Sequence, residues 1–333
     1  MANSGILAAG NFIVDHVKLI DYYPREEMLA SICQQARSNG GGPYNILKDL
    51  AAMEVGFPLA AAGLTGADPD GDWIVADCIA HGIDTARLQC SPGAATSYTD
   101  AFTVESTGRR TFFHQRGANA LLGPDHFDFA GVTARIFYLG YFMLLDTLDA
   151  VNEAGRSGAS RVLEAAVGAG LITAADMVSV EHADFARSAR SALPWVDHFI
   201  LNEVEAGKLT GQELRTATGI DWSAVEAAAR ALLEAGVRRT VTIHFVEGAV
   251  SAEKCGVSHR RASLQLPPGF IKGATGAGDA FAAGLLSGLH DGLPMPECLR
   301  RAVCAAAMCL SDPTPSGGLR PLAECLALDP GGP

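Results

Sequence analysis

Two periods of hydrophobic and polar positions alternate along this chain. Short apolar runs bounded by glycine or turn residues predict strands over 5–14, 57–64, 136–140, 171–180, 197–201, 239–245 and 263–266. Between them, apolar residues at helical spacing predict helices over 45–53, 72–82, 160–170, 223–235, 279–290 and 296–310, and another that starts at 204–210. Val225, Ala228, Ala229, Leu232 and Leu233 share one face of the 223–235 segment, and Phe281, Leu285 and Leu289 recur at i, i+4 and i+8. Gly66-Ala67-Asp68-Pro69-Asp70-Gly71 carries loop chemistry, and the tail over 313–333 is loop-rich.

From Thr96 the pattern changes. Residues 98–105 and 109–115 are rich in β-branched and aromatic side chains and flank the turn Ser106-Thr107-Gly108. They lack the all-apolar character of a central parallel strand, which predicts a separate small sheet. Val17 and Leu19, alternating with polar neighbours, supply another strand of it. The strand-then-helix order elsewhere favours a doubly wound, mostly parallel sheet with helices on both faces. Ligands then collect at the C-terminal ends of the strands.

Composition narrows the class. A chain of 333 residues suits one large α/β domain or two smaller ones, and 48% hydrophobic against 19% charged residues implies a well-filled core. The formal charge of −12 is spread without long runs, which argues against a nucleic-acid or anionic-membrane partner. No apolar stretch approaches the roughly 18 residues of a membrane span. Met1-Ala2-Asn3-Ser4 shows no basic region of a signal peptide, so the expected location is cytoplasmic. The eight cysteines form no CxxC pair and read as reduced, mostly buried thiols.

The candidate chemistry centres on Lys272–Phe281. Gly276, Ala277 and Gly278 precede Asp279, which opens an apolar helix and belongs to the residue class preferred at an N-cap. Helix N-termini hold anions through unpaired N–H groups, and small residues let a phosphate approach. A carboxylate there is either a helix cap or a base for a hydroxyl nucleophile. Gly276-x-Gly278 begins like a dinucleotide fingerprint, but Phe281 stands where its third glycine belongs.

Several segments, in order, resemble the PfkB (ribokinase-like) family of carbohydrate and nucleoside kinases. They are Gly10-Asn11 with Asp15, Gly40-Gly41-Gly42-Pro43-Tyr44-Asn45, Gly63 to Gly71, Gly117-Ala118-Asn119, Asn202-Glu203-Val204-Glu205, and Thr275 to Phe281. The resemblance spans nearly the whole chain and implies a single domain over 1–333. Its expected fold is a three-layer α/β/α sandwich with a mostly parallel central sheet and a small β-sheet lid from about 16–37 and 97–117. Such lids exclude water and commonly form a homodimer contact.

Carried over by residue, the resemblance implies Asp279 as general base and the amides of Gly276, Ala277 and Gly278 as the anion hole. Asn202 and Glu205 would organise Mg²⁺ through water, although Asn202 also fits a plain helix cap. Thr242, His244, Gly248 and Thr275 fall on the side implied for ATP. Asp15, Gly41 and Asn45 would contact substrate hydroxyls, with Asn11 and Asn119 as further candidates. Arg116 could meet a substrate carboxylate, as in kinases of 2-keto-3-deoxy sugar acids, or could be a solvated lid charge. Gly273 and Ala274 depart from the family's acid and Thr, which removes a side-chain ligand for a monovalent cation. His244 replaces the usual glycine. The implied activity is ATP- and Mg²⁺-dependent phosphorylation of a hydroxymethyl group on a small sugar or polyol. The alternatives are a nucleoside kinase, a sugar-acid kinase and a catalytically silent sugar-binding regulator.

Overall fold

Fifteen strands and ten helices form among the residues described by the computed structural model, 3–181 and 184–331. In chain order the strands are β1 (Ile6–Gly10), β2 (Ile13–Ile20), β3 (Ile32–Gly40), β4 (Leu59–Gly66), β5 (Ile83–Ser91), β6 (Tyr98–Val104), β7 (Arg110–Gln115), β8 (Ile136–Phe142), β9 (Ile172–Met177), β10 (His198–Asn202), β11 (Arg215–Thr216), β12 (Gly219–Ile220), β13 (Thr240–Phe245), β14 (Gly248–Glu253) and β15 (Ser258–Ala262). The helices are α1 (Gly42–Ala52), α2 (Pro69–Ala80), α3 (Asp146–Asp149), α4 (Gly158–Gly168), α5 (Phe185–Ala192), α6 (Glu203–Thr210), α7 (Trp222–Glu234), α8 (Ala277–His290), α9 (Met295–Cys309) and α10 (Leu322–Ala327).

Nine strands make one sheet in the order β15-β14-β13-β10-β9-β8-β1-β4-β5. From β13 through β5 the neighbours are parallel, and β14 and β15 close one edge antiparallel. The alternation of side chains along a strand explains the three layers. Leu7 and Ala9 of β1 join Phe137 and Leu139 of β8 in a core covered by α4, α5, α6 and α7. Ile6, Ala8, Ile136 and Tyr138 point the other way, into a core covered by α1, α2, α8 and α9. Strands buried on both faces are continuous apolar runs for this reason. The three-layer α/β/α fold is therefore the one expected.

A second sheet of four strands has the order β3-β2-β6-β7. Its outer pairs are antiparallel and the central β2–β6 pair is parallel. β11 and β12 form a small hairpin.

The structure corrects several sequence-based bounds. Residues 5–14 hold two strands, because the chain turns at Asn11-Phe12 and β2 leaves for the small sheet. The strand expected over 263–266 lies earlier, at Ser258–Ala262, where it pairs with β14. Within the expected loop 66–71, Pro69 already opens α2, with Asp68 as N-cap accepting from Gly71 N. Strands β5 and β14 were not anticipated, and the tail contains α10. Met1 and Ala2, on which the signal-peptide reading rests, and Gly332 and Pro333 of the tail lie outside the described residues. No helix among the described residues is long and apolar enough to cross a membrane. Five cysteines are buried and three, Cys33, Cys90 and Cys255, are exposed.

Candidate active site

Helix α8 begins at the C-terminal ends of the parallel strands. Its N-cap is Gly276 at φ 81°, and an added Cβ there would lie 2.5 Å from Pro315 O. Only glycine fits both the left-handed backbone and the close approach. Asp279 is not the cap: it is the third helical residue, 5% exposed, with its side chain turned into the protein. The first helical bond, Ala280 N–H to Gly276 O, is 2.8 Å, while the Ala277 N–H reaches Ala274 O only at 3.4 Å. The turn of Gly276, Ala277 and Gly278 thus presents weakly engaged N–H groups at the positive end of a 14-residue helix.

The Asp279 carboxylate is held by two neutral donors. Asn45 Nδ2 donates to Oδ2 at 2.7 Å, and the Tyr141 hydroxyl lies 2.9 and 3.0 Å from the two oxygens. Asn45 is in turn oriented by Asn39, whose Nδ2 donates to Asn45 Oδ1 at 2.7 Å and to Ser316 Oγ at 3.0 Å. Burial pushes the Asp279 carboxyl up to about 6, and the bonds from Asn45 and Tyr141 work against that rise.

Asp15 faces the same interior from β2. Burial pushes it up to about 7, the Thr99 hydroxyl opposes this, and the nearby Asp279 charge adds to it. Asp15 lines a cavity of about 340 Å³ between the small sheet and the 313–315 loop, with Val17, Leu19, Arg110, Phe112 and Thr275 among its walls. Gly41 stands at φ 88° and a Cβ there would sit 2.2 Å from Asn11 O, so the α1 N-terminus and the β1–β2 turn touch through backbone. Asn11 and Asn119 are fully buried, and their amides donate to Leu144 O (3.2 Å) and Phe12 O (3.1 Å). In this structure both pin loops. Asn45, expected at the substrate, donates to the Asp279 carboxylate.

On the opposite side, Asn202 caps α6 and forms a capping box with Glu205. Asn202 Oδ1 accepts from the Val204 and Glu205 amides at 2.9 Å each, and Glu205 accepts from Asn202 N, Asn202 Nδ2 and Ser179 Oγ. The helix-cap reading of Asn202 is therefore realised, together with the side-chain pairing of the motif. Burial pushes Glu205 up to about 7. Asp176, at the end of β9, feels the charges of both Glu205 and Asp279 and is held well above its usual range by burial.

Thr242 is fully buried, and its hydroxyl pairs with Ser251 of β14 at 2.9 Å, under the strand end. His244 stands at the open end of β13, beside Gly278 (a Cβ there would be 3.2 Å from His244 Cε1) and 5.0 Å from the Phe281 ring. Burial lowers its pKa to about 4, so the imidazole is neutral. Gly248 opens β14 across from Phe245. The buried Thr275 hydroxyl has no partner among the described residues. Gly273 packs with its Cβ position 2.7 Å from Pro313 Cα, so an acid there would displace backbone. Arg116 is paired with Asp146 at 2.6 Å and reaches Met143 O, whereas Arg110 lines the cavity.

Tyr141, Asn39 and Asp176 carry no motif and were not singled out from sequence. Asp176 left one signal, an acid inside the apolar run 171–180. Among the described residues no group of three or more His, Cys, Asp or Glu side chains could hold a metal directly. Glu205 and Asp176 with Asn202 fit the weaker demand of Mg²⁺, which keeps several waters and takes one or two carboxylates beside phosphate oxygens.

A helix N-terminus facing a buried carboxylate, at the crevice of a doubly wound sheet and under a small separate sheet, defines a ribokinase-like phosphotransferase architecture. The chain belongs to the pfkB family of carbohydrate kinases, whose pattern matches residues 8–319. It is similar to a ribokinase from Arabidopsis thaliana solved with ribose and ATP, at 21% identity and TM-score 0.82, over 98% of this chain and 99% of that one. It is also similar to a nucleoside kinase from Methanocaldococcus jannaschii (15% identity, TM-score 0.75, 98% and 99% covered). A third similar structure, from E. coli, was solved in complex with ATP and Mg²⁺ (18% identity, TM-score 0.76, 98% and 99% covered).

Proposed function

We propose that this carbohydrate kinase transfers the γ-phosphate of ATP to a hydroxymethyl group of a small sugar or sugar-like polyol. The observation that carries this reading is Asp279, a buried carboxylate on the first turn of α8 and within electrostatic reach of Asp15. The Asp15 carboxylate accepts from sugar hydroxyls and the Gly41 backbone approaches them closely. The acceptor hydroxymethyl oxygen gives its proton to Asp279 as its bond to the γ-phosphorus forms and the bridging P–O bond to ADP breaks. The amides of Gly276, Ala277 and Gly278 stabilise charge on the phosphoryl oxygens. When bound, Mg²⁺ supplies neutralising charge on the phosphates, with Glu205 and Asn202 holding its waters. The small sheet acts as a lid that excludes water.

The apolar wall of Val17, Leu19 and Phe112 favours a second reading, an acceptor with an apolar body such as a nucleoside. ADP release over a panel of sugars, sugar acids and nucleosides separates the two. Turnover with nucleosides alone would replace the sugar reading, and turnover with none would remove both.

Asp15 carries a stability consequence. Its folded pKa lies above its unfolded value, so the native state binds more protons between about pH 4 and 7 and stability falls as pH rises through that window. Asp15→Asn is expected to raise the unliganded melting temperature at pH 8 by about 3 °C. The same change is expected to raise KM for the acceptor by about 100-fold. Calorimetry and initial rates check the pair, and a lowered melting temperature would contradict the assignment.

The lid also leaves Met28, Leu29, Ile32 and Phe113 exposed. This supports a homodimer through the lid. Sedimentation velocity should show a dimer that Phe113→Asp shifts toward monomer, and a monomeric wild type would rule the dimer out.

A further inference from the structure

We propose that Tyr141 is a positioning residue that orients the Asp279 carboxylate and holds it ionised for proton abstraction. The proposal rests on reading Asp279 as the base. Tyr141 lies near the end of β8 with φ 57°, a left-handed conformation uncommon for a bulky non-glycine residue. Two contacts keep it there. Its N–H donates to Asp176 Oδ1 at 2.8 Å, and its ring lies over Gly42, where a Cβ would approach Cδ1 and Cε1 to 2.7 Å. The backbone turn and the missing side chain together aim the hydroxyl at both oxygens of Asp279, at 2.9 and 3.0 Å.

A carboxylate offers about four acceptor positions. Asn45 takes one on Oδ2 and the Tyr141 hydroxyl spans both oxygens, which leaves acceptor capacity for the proton of a substrate hydroxyl. Burial holds the Tyr141 phenol well above its usual range, which keeps it a donor and never a competing base.

The groups around Asp279 leave this task to neutral donors. Asp15 faces it from β2, Asp49 from α1, Tyr138 from β8, Asp176 from β9 and Cys309 from α9. The Asp279 charge raises each of them, so they keep their protons where Asp279 ionises, and none of the five supplies it a positive charge. Asn45 and Tyr141, by donating to Asp279, lower its own pKa.

Tyr141→Phe keeps the ring against Gly42 and removes only the hydroxyl. The acid limb of kcat is expected to move up by about one pH unit, with the rate recovering toward wild type at about pH 9 and the KM for ATP within about twofold. In parallel, the Asp279 carboxyl signal, followed by ¹³C NMR in substrate-free protein, should titrate about one unit higher than in wild type. A carboxyl titration that does not move overturns the proposal, whatever happens to the rate. A pH-independent loss of kcat with an unmoved limb does the same, since mere packing would produce it. A shifted titration in the variant, with a wild type that turns over no acceptor at any pH, would overturn the kinase reading and leave the Tyr141–Asp279 coupling standing.

Discussion

Asp279→Asn is expected to lower kcat by about 10³-fold while ATP affinity stays within about twofold. Asparagine is nearly the same size and can still accept from Asn45 and Tyr141, so the donors that surround position 279 keep a partner. What it cannot do is take a proton from the acceptor hydroxyl. It also removes a buried acid from a group that includes Asp15 and Asp176, so the substituted protein should be no less stable than wild type above about pH 7. Initial rates with saturating substrates, nucleotide titration and thermal melts test the three parts together. A loss of less than about tenfold would mean that Asp279 is not the base.

The second large effect is expected at Gly276. Alanine there must hold φ 81° and place a methyl 2.5 Å from Pro315 O. The left-handed backbone costs about 1–2 kcal/mol. The contact with a backbone oxygen adds to it, because the 313–316 loop has to shift. Gly276→Ala should therefore lower stability by about 2–4 kcal/mol and kcat by at least about 10²-fold, since the amides of the first turn move off the phosphate. Gly278→Ala is a useful contrast. Position 278 is helical, and its nearest neighbour is the edge of the His244 ring at 3.2 Å, so the substitution should keep the fold and act mainly through the phosphate approach. Chemical denaturation separates the two variants. Equal stability losses would contradict the account of Gly276.

What could be read from the chain, and what could not, follows from where the information resides. β8 and β13 were legible because strands covered on both faces must be continuously apolar. β5 was not, because an edge strand of sequence IDTARLQCS alternates buried and exposed positions among charges. β14 is small and interrupted by Ser251, and missing it also hid the fact that Thr242 spends its hydroxyl on a cross-strand pair. Gly276 and Asp279 carry their signal locally, in glycine spacing and a helix start, whereas Gly41, Asn45, Asn202 and Glu205 were legible through short segments that resemble the family's motifs. Tyr141 carries none and Asp176 only an acid within an apolar run, since they matter because parallel strands deliver their C-terminal ends to one crevice. The two arginines show the same limit. The family resemblance drew attention to Arg116, but Asp146, thirty residues away, engages it, while the register of β7 puts Arg110 with Phe112 on the cavity side.

The central claim is tested most directly by following the γ-phosphorus of ATP with ³¹P NMR in the presence of Mg²⁺ and each acceptor of the panel. A phosphomonoester on a hydroxymethyl carbon, formed by wild type and essentially absent with Asp279→Asn, is the predicted result. An acceptor that binds tightly while the phosphorus stays on ATP, or appears only as inorganic phosphate at the rate of the Asn variant, would contradict it.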